Sequence, residues 1–241
     1  MTKGIFNTFL KACETKKKQV SVLIDPDNRN FGHLEKLLIL CNQKPIDFLL
    51  IGGSLLSNGN IEETILFVKE KTKIPIIIFP GTTHQICDKA DAIFLLSLVS
   101  GRNPELLIGK HVESAFRLKN SGLEIIPTAY MLIDGGRATT ASYISFTQPL
   151  PGDKPMLAAA TALAAGQLGM KLLYVDSGSG ALDPVSAEII THIKFNTNLP
   201  LIIGGGLRNK QAIANAFEAG ADMVVIGNAL EQNPDLINDL F

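Results

Sequence analysis

The chain has 241 residues, 46% hydrophobic and 19% charged, a size and composition suited to one α/β barrel forming a single domain over 1–241. Its 22 Lys and Arg against 23 Asp and Glu leave a formal charge of -1. That excludes a global basic field for nucleic acid or an anionic membrane, so any anionic ligand must be held by local groups.

In chain order, the stretch up to Val20 has no long apolar core before a cleavage site, and no later apolar run approaches membrane-spanning length. Cys13, Cys41 and Cys87 are widely spaced and contain no CxxC pair, which argues against a disulfide framework and a structural zinc site. A soluble, cytoplasmic protein is expected, with Lys16 to Lys18 read as a solvated helix end. From there, short runs of Val, Ile, Leu and Phe alternate with longer amphipathic segments. Strands are expected at 20–25, 48–52, 75–79, 92–98, 124–129, 172–175, 201–204 and 223–227. Helices are expected at 33–42, 61–71, 104–120, 155–168, 184–196 and 210–219, several announced by Asp or Asn before them or by Pro in the first turn. The strands are almost continuously apolar, as parallel strands covered on both faces are, so the pattern gives a (β/α)8 TIM barrel. After the third strand, GTTHQICDKADA at 81–92 is short and polar, leaving room for only a stub of the third helix. The connection 132–153 is long and rich in Gly, Thr, Ser and Pro, and reads either as a substrate lid on the catalytic face or as an insertion without function.

Three glycine clusters, YVDSGSGA at 174–181, IIGGGLRN at 202–209 and VVIGNAL at 224–230, close the last three strands. Glycine lets backbone approach a ligand and turns amides toward an anion, and barrels often hold phosphate after strands seven and eight, where Gly205, Gly206, Gly227 and Asn228 fall. One such cluster reads as a tight turn; three at successive strand ends read as a phosphate pocket. Asp176, inside the first cluster, is suited to orient or deprotonate a substrate hydroxyl, with helix capping as the structural alternative. Across the mouth, LIDPDN supplies Asp25 and Asp27 and IGGS supplies Ser54. These are hard oxygen donors suited to Mg2+, although Asp and Pro also open turns for purely local reasons. His33, His84, His111 and His192 are scattered and read as ordinary surface or helix residues.

With LIDPD, IGGS, YVDSGSG, GGG and the final IGN in order over nearly its whole length, the chain resembles the geranylgeranylglyceryl phosphate synthase family of prenyltransferases, which has bacterial relatives. The resemblance implies transfer of a geranylgeranyl or other polyprenyl group from its diphosphate to the sn-3 hydroxyl of sn-glycerol 1-phosphate. It implies Mg2+ held by Asp25 and Ser54. It implies a glycerol phosphate pocket of Tyr174, Val175, Asp176, Ser177, Gly178, Ser179 and Gly180 with Gly205, Gly206, Gly227 and Asn228, with Asp176 taking the hydroxyl proton. Many members carry Glu at the position of Asp176, one methylene longer, so its reach here is direct or through water. A mobile segment in place of the third helix is also a family trait, as are homo-oligomers, and a lipid product implies transient contact with a membrane surface. A prenyl groove needs apolar walls; Phe94, Leu96, Leu98, Tyr130 and Met131 are candidates that equally fit ordinary barrel filling. Helix 155–168 is either an interface or a buried barrel helix. Two other functions share the glycine loops: a metal-free phosphate-binding isomerase or lyase, and a non-catalytic phosphometabolite-binding protein.

Overall fold

The computed structural model describes residues 4–27 and 30–241. Its eight strands are β1 Gln19–Ile24, β2 Phe48–Ile51, β3 Ile76–Ile78, β4 Ala92–Leu98, β5 Glu124–Leu132, β6 Leu172–Asp176, β7 Leu201–Gly204 and β8 Met223–Ile226. Each pairs in parallel with the next, and β1 pairs with β8 from Gln19↔Met223 to Val22↔Ile226, closing the barrel. Alternate side chains of every strand face opposite ways. Phe48, Leu50, Ile77, Phe94, Tyr174 and Ile202 fill the interior, while Leu49, Ile51, Ile76, Ile78, Val175 and Ile203 pack outward under the helices. Both sets are dry, which is why the strands read as unbroken apolar runs.

The helices are α1 Ile5–Glu14, α2 Phe31–Cys41, α3 Ile61–Lys71, α4 Lys110–Ser121, α5 Thr140–Ile144, α6 Pro155–Gln167, α7 Ala187–Asn196, α8 Lys210–Ala219, α9 Asn228–Gln232 and α10 Ile237–Leu240. Asn60, Ser186 and Asn209 cap α3, α7 and α8 through their side-chain oxygens, satisfying amides that the first turn leaves open. The helix expected from 104 begins as a π turn, Glu105–Gly109, before α4. The face of α6 made by Ala158, Ala162 and Ala165 is buried, with Met156, Leu163 and Leu168 exposed outside it.

α1 is not among the helix ranges read from the sequence, which marks only its basic end at Lys16 to Lys18. It closes the barrel floor, with Phe9 packed among Phe48, Ile77 and Phe94. The Glu124 carboxylate accepts the amides of Ile5 and Phe6 at its N-terminal end, where negative charge is favourable. Beyond its C-terminal end, Lys17 pairs with Asp47 at 2.6 Å and Lys18 donates to the Ala221 carbonyl, so this basic run is tied to the barrel floor.

Between β3 and β4 the only helical turn is the 3-10 segment Thr83–Gln85, in line with the short third connection expected from the sequence. The 132–153 connection is ordered by a parallel bridge between Ile133 and Leu150 and by α5. Among the described residues, no helix is long and apolar enough to cross a membrane.

Candidate active site

The C-terminal ends of the strands open into two cavities that meet. One, the more polar of the two, is bordered by Asp25, Ser54, Asp176, Gly178, Gly205 and Asn228 among others. The second is apolar and runs down beside β4, bordered by Leu96, Leu98, His111, Ser114 and Leu118. Gly53, Ser54, Phe79, Tyr130 and Ala141 border both.

On one side of the polar cavity the glycine loops interlock. Gly205 and Gly206 have φ of +75° and +70°, and a Cβ on either would fall 2.5 Å from Asp176 Oδ1 or 2.6 Å from Pro184 N. Positive φ and close packing together restrict both places to glycine. Ser179 Oγ donates to Asn228 Oδ1 at 2.8 Å, joining the loop after β6 to the start of α9. Arg208 reaches back to the carbonyls of Ala181 and Leu182, bracing the same loop.

Asp176 ends β6 and is buried. Tyr130 Oη donates to its Oδ2 at 2.8 Å and the Gly178 amide to its Oδ1 at 2.7 Å. Burial raises the pKa of this carboxyl, and those two hydrogen bonds oppose the rise. Burial and the nearby Asp176 charge push both Tyr130 and Tyr174 well above the ordinary phenol value. The Tyr174 ring lies 4.8 Å from Phe79 and 5.7 Å from Tyr130, centroid to centroid, so aromatic faces cluster where the two cavities join.

On the other side, Asp25 Oδ1 accepts the Asp27 amide at 2.9 Å. A Cβ on Gly53 would sit 3.4 Å from Asp25 Oδ2, which puts that oxygen beside the strand end that carries Ser54. Burial raises the pKa of Asp25; the Asp27 amide opposes the rise and the Asp27 charge adds to it. Asp27 behaves differently. Its partial desolvation is outweighed by donation from the Ser57 hydroxyl and the amides of Ser57, Asn58 and Gly59, which hold it at about 2. It is therefore committed to ordering the loop after β2. Glu231 of α9, absent from the sequence-derived candidates, also borders the cavity and accepts the Asp25 amide at 2.8 Å. Among the described residues no group of three or more His, Cys, Asp or Glu is arranged to enclose a metal. A few hard oxygens on one wall suit Mg2+, which completes its shell with water and substrate phosphate oxygens.

The structure thus gathers Tyr174, Asp176, Gly178, Ser179, Gly180, Gly205, Gly206, Gly227 and Asn228 around one cavity with Asp25 and Ser54. Val175 instead points outward into the core beneath the helices, because neighbouring residues of a strand face opposite ways. The Ser177 side chain is buried, with no hydrogen-bond partner for its hydroxyl. Phe94, Leu96, Leu98 and Tyr130 border the apolar cavity, whereas Met131 packs outward. Of the histidines, His111 borders that cavity, with Nε2 2.8 Å from the Leu96 carbonyl.

A family model described as the PcrB family matches residues 13–241. A geranylgeranylglyceryl phosphate synthase from Spirosoma linguale is 49% identical over 93% of this chain and 90% of its own length. The synthase from Pyrococcus furiosus is 40% identical over 90% of this chain and 86% of its own. Among solved structures, the (S)-3-O-geranylgeranylglyceryl phosphate synthase of Thermoplasma acidophilum in complex with its substrate sn-glycerol-1-phosphate superposes with a TM-score of 0.90 at 31% identity, covering 98% of this chain and 95% of that one. A tryptophan synthase alpha subunit from Pyrococcus furiosus, with a TM-score of 0.59 at 9% identity over 92% of this chain and 97% of its own, shares the barrel fold alone.

Proposed function

The chain belongs to the PcrB family, and from that membership we propose that it is a Mg2+-dependent prenyltransferase joining geranylgeranyl diphosphate, or another polyprenyl diphosphate, to the sn-3 hydroxyl of sn-glycerol 1-phosphate. The observation that carries the reading is the meeting of the two cavities. Glycine loops lie on one side, hard oxygens on the other, and an apolar groove leaves from the junction. Two anionic head groups and one hydrocarbon chain need that division of space.

The loops at 178–180, 205–206 and 227–228 hold the acceptor phosphate, with the hydroxyl to be alkylated turned toward Asp176. Asp25 and Ser54 hold Mg2+, which when bound neutralises the diphosphate leaving group. As the bond from the allylic carbon to the diphosphate oxygen breaks, positive charge develops among the faces of Phe79, Tyr130 and Tyr174, which favour a cation. The glycerol oxygen bonds to that carbon, and its proton passes to Asp176 and on to solvent. The raised pKa of Asp176 strengthens it as a base, and Tyr130 keeps its carboxylate in place. Phe94, Leu96 and Leu98 align the chain and exclude water from the reacting carbon.

The same reading includes a cytoplasmic homo-oligomer whose lipid product meets a membrane surface transiently. Support for an assembly comes from exposed apolar residues on the outside of the barrel, Val112 and Phe116 of α4 and Phe146 after α5.

The test is mass spectrometry of products formed from sn-glycerol 1-phosphate, Mg2+ and each prenyl diphosphate from geranyl to heptaprenyl. A prenylglyceryl phosphate ether is expected; none from any donor would sink the reading. Near-normal ether formation by Asp25→Asn would mean that Asp25 does not hold the metal, whereas no ether from any donor leaves the metal-free barrel isomerase or lyase as the reading to pursue.

A further inference from the structure

α9 touches both halves of the mouth. Its first residue, Asn228, is tied to Ser179 on the glycine-loop side. One turn later Glu231 reaches the opposite side, where its Oε1 accepts the backbone amide of Asp25 at 2.8 Å, between residues 206 apart in sequence.

We propose that Glu231 is a positioning residue that anchors the Asp25 loop and so sets the affinity of the donor half of the site for Mg2+ with diphosphate. This rests on the prenyltransferase reading above. β1 ends at Ile24, so the Asp25 amide has left the strand ladder and needs another acceptor, and Glu231 supplies it. Two residues further, the Asp27 amide holds Asp25 Oδ1 at 2.9 Å. The backbone of Asp25 is thus fixed from α9 and its carboxylate from its own loop, leaving Oδ2 beside Gly53, the residue before Ser54, in the cavity that Ser54 also borders. Removing the α9 anchor frees the loop to turn that oxygen away while the acceptor loops, braced separately by Ser179 and Arg208, stay as they are. Oriented ligands depend on such supporting bonds for much of their affinity.

The experiment uses the full chain with Glu231→Ala, Glu231→Gln and Glu231→Asp. Three quantities are read: the half-saturating Mg2+ concentration in turnover, Mn2+ binding with inorganic pyrophosphate by electron paramagnetic resonance without a prenyl donor, and metal-free calorimetry of sn-glycerol 1-phosphate. Glu231→Ala is expected to weaken both metal readouts by about tenfold or more and to leave glycerol phosphate affinity within about twofold. Glu231→Gln keeps a carbonyl oxygen for the amide and is expected within about threefold of the unaltered chain, whereas Glu231→Asp, too short to reach, is expected to lose about as much as Ala.

The proposal is overturned if Ala or Asp leaves metal affinity unchanged. Parallel loss of glycerol phosphate, or a Gln variant as weak as Ala, overturns it as well. Should Ala not fold, Asp and Gln decide. An unaltered chain that makes no ether, or makes it without a divalent cation, defeats the functional reading itself and this inference with it.

Discussion

Asp176 owes its chemistry to three neighbours at hydrogen-bonding distance or packed around it: a phenol, an amide and the dry wall of the barrel. Its carboxyl pKa is raised in the folded chain. The stability contributed by its protonated form is therefore complete below the unfolded carboxylate pKa and is lost as pH rises through the folded value. Asp176→Asn removes that loss at neutral pH, so the melting temperature measured there is expected to hold or rise. Turnover is expected to fall by about 100-fold or more as the proposed base disappears. A melting temperature several degrees lower would make the carboxylate a structural anchor instead. Tyr130→Phe probes the same group from the other side. The Tyr130 hydrogen bond lowers the Asp176 pKa, so deleting it moves the acid limb of the kcat/KM profile to higher pH. A limb that stays put would mean that Asp176 is not the group titrating in the profile.

At the scale of elements, the connection from β3 to β4 makes the groove. A full helix there would cover the outer face of β4, yet with only the turn at Thr83–Gln85 Ile93 and Leu95 border the apolar cavity. α4 supplies the facing wall through His111, Ser114 and Leu118, spaced to share one side of a helix. α4 runs back toward the barrel floor, so Ser114 lies partway down and Leu118 deeper. Ser114→Trp should block the lower part. In a competition assay read by mass spectrometry, preference is expected to shift from geranylgeranyl toward farnesyl or geranyl diphosphate by about tenfold or more, as lost room for methylenes costs on the order of 1–3 kcal/mol. Equal loss for every donor would place the chain elsewhere. The short connection was readable because GTTHQICDKADA lacks an apolar helical face, and the eight strands because both of their faces are dry. α1 is legible only through its basic end at Lys16 to Lys18, although IFNTFLKACE has apolar residues at helical spacing. No strand precedes it, so it falls outside the βα rhythm, and its role under Phe48 and Phe94 depends on tertiary packing.

For the whole molecule, barrel closure decides which groups meet. Pairing of β1 with β8 brings Asp25 to α9, and pairing of β5 with β6 sets Tyr130 beside Tyr174 and within reach of Asp176. Motifs after the strands marked Asp25, Ser54, Asp176 and the glycines, because each carries its signal in a few adjacent residues. Glu231 and the Tyr130 bond to Asp176 carry no local signal, since their partners lie far away in sequence. The two halves of the mouth stand on different strands of one cooperative barrel, so each ligand should stabilise the fold separately. At about 100 times its dissociation constant a ligand adds about 2.7 kcal/mol, worth roughly 5–10 °C in Tm for a chain of this size. Differential scanning calorimetry with sn-glycerol 1-phosphate, with Mg2+ and pyrophosphate, and with both should give two increments that add. EDTA is expected to abolish the pyrophosphate increment and leave that of glycerol phosphate. If EDTA removes neither, Asp25 and Ser54 do not hold a metal; if it removes both, the acceptor phosphate is bound through the ion rather than by the glycine loops.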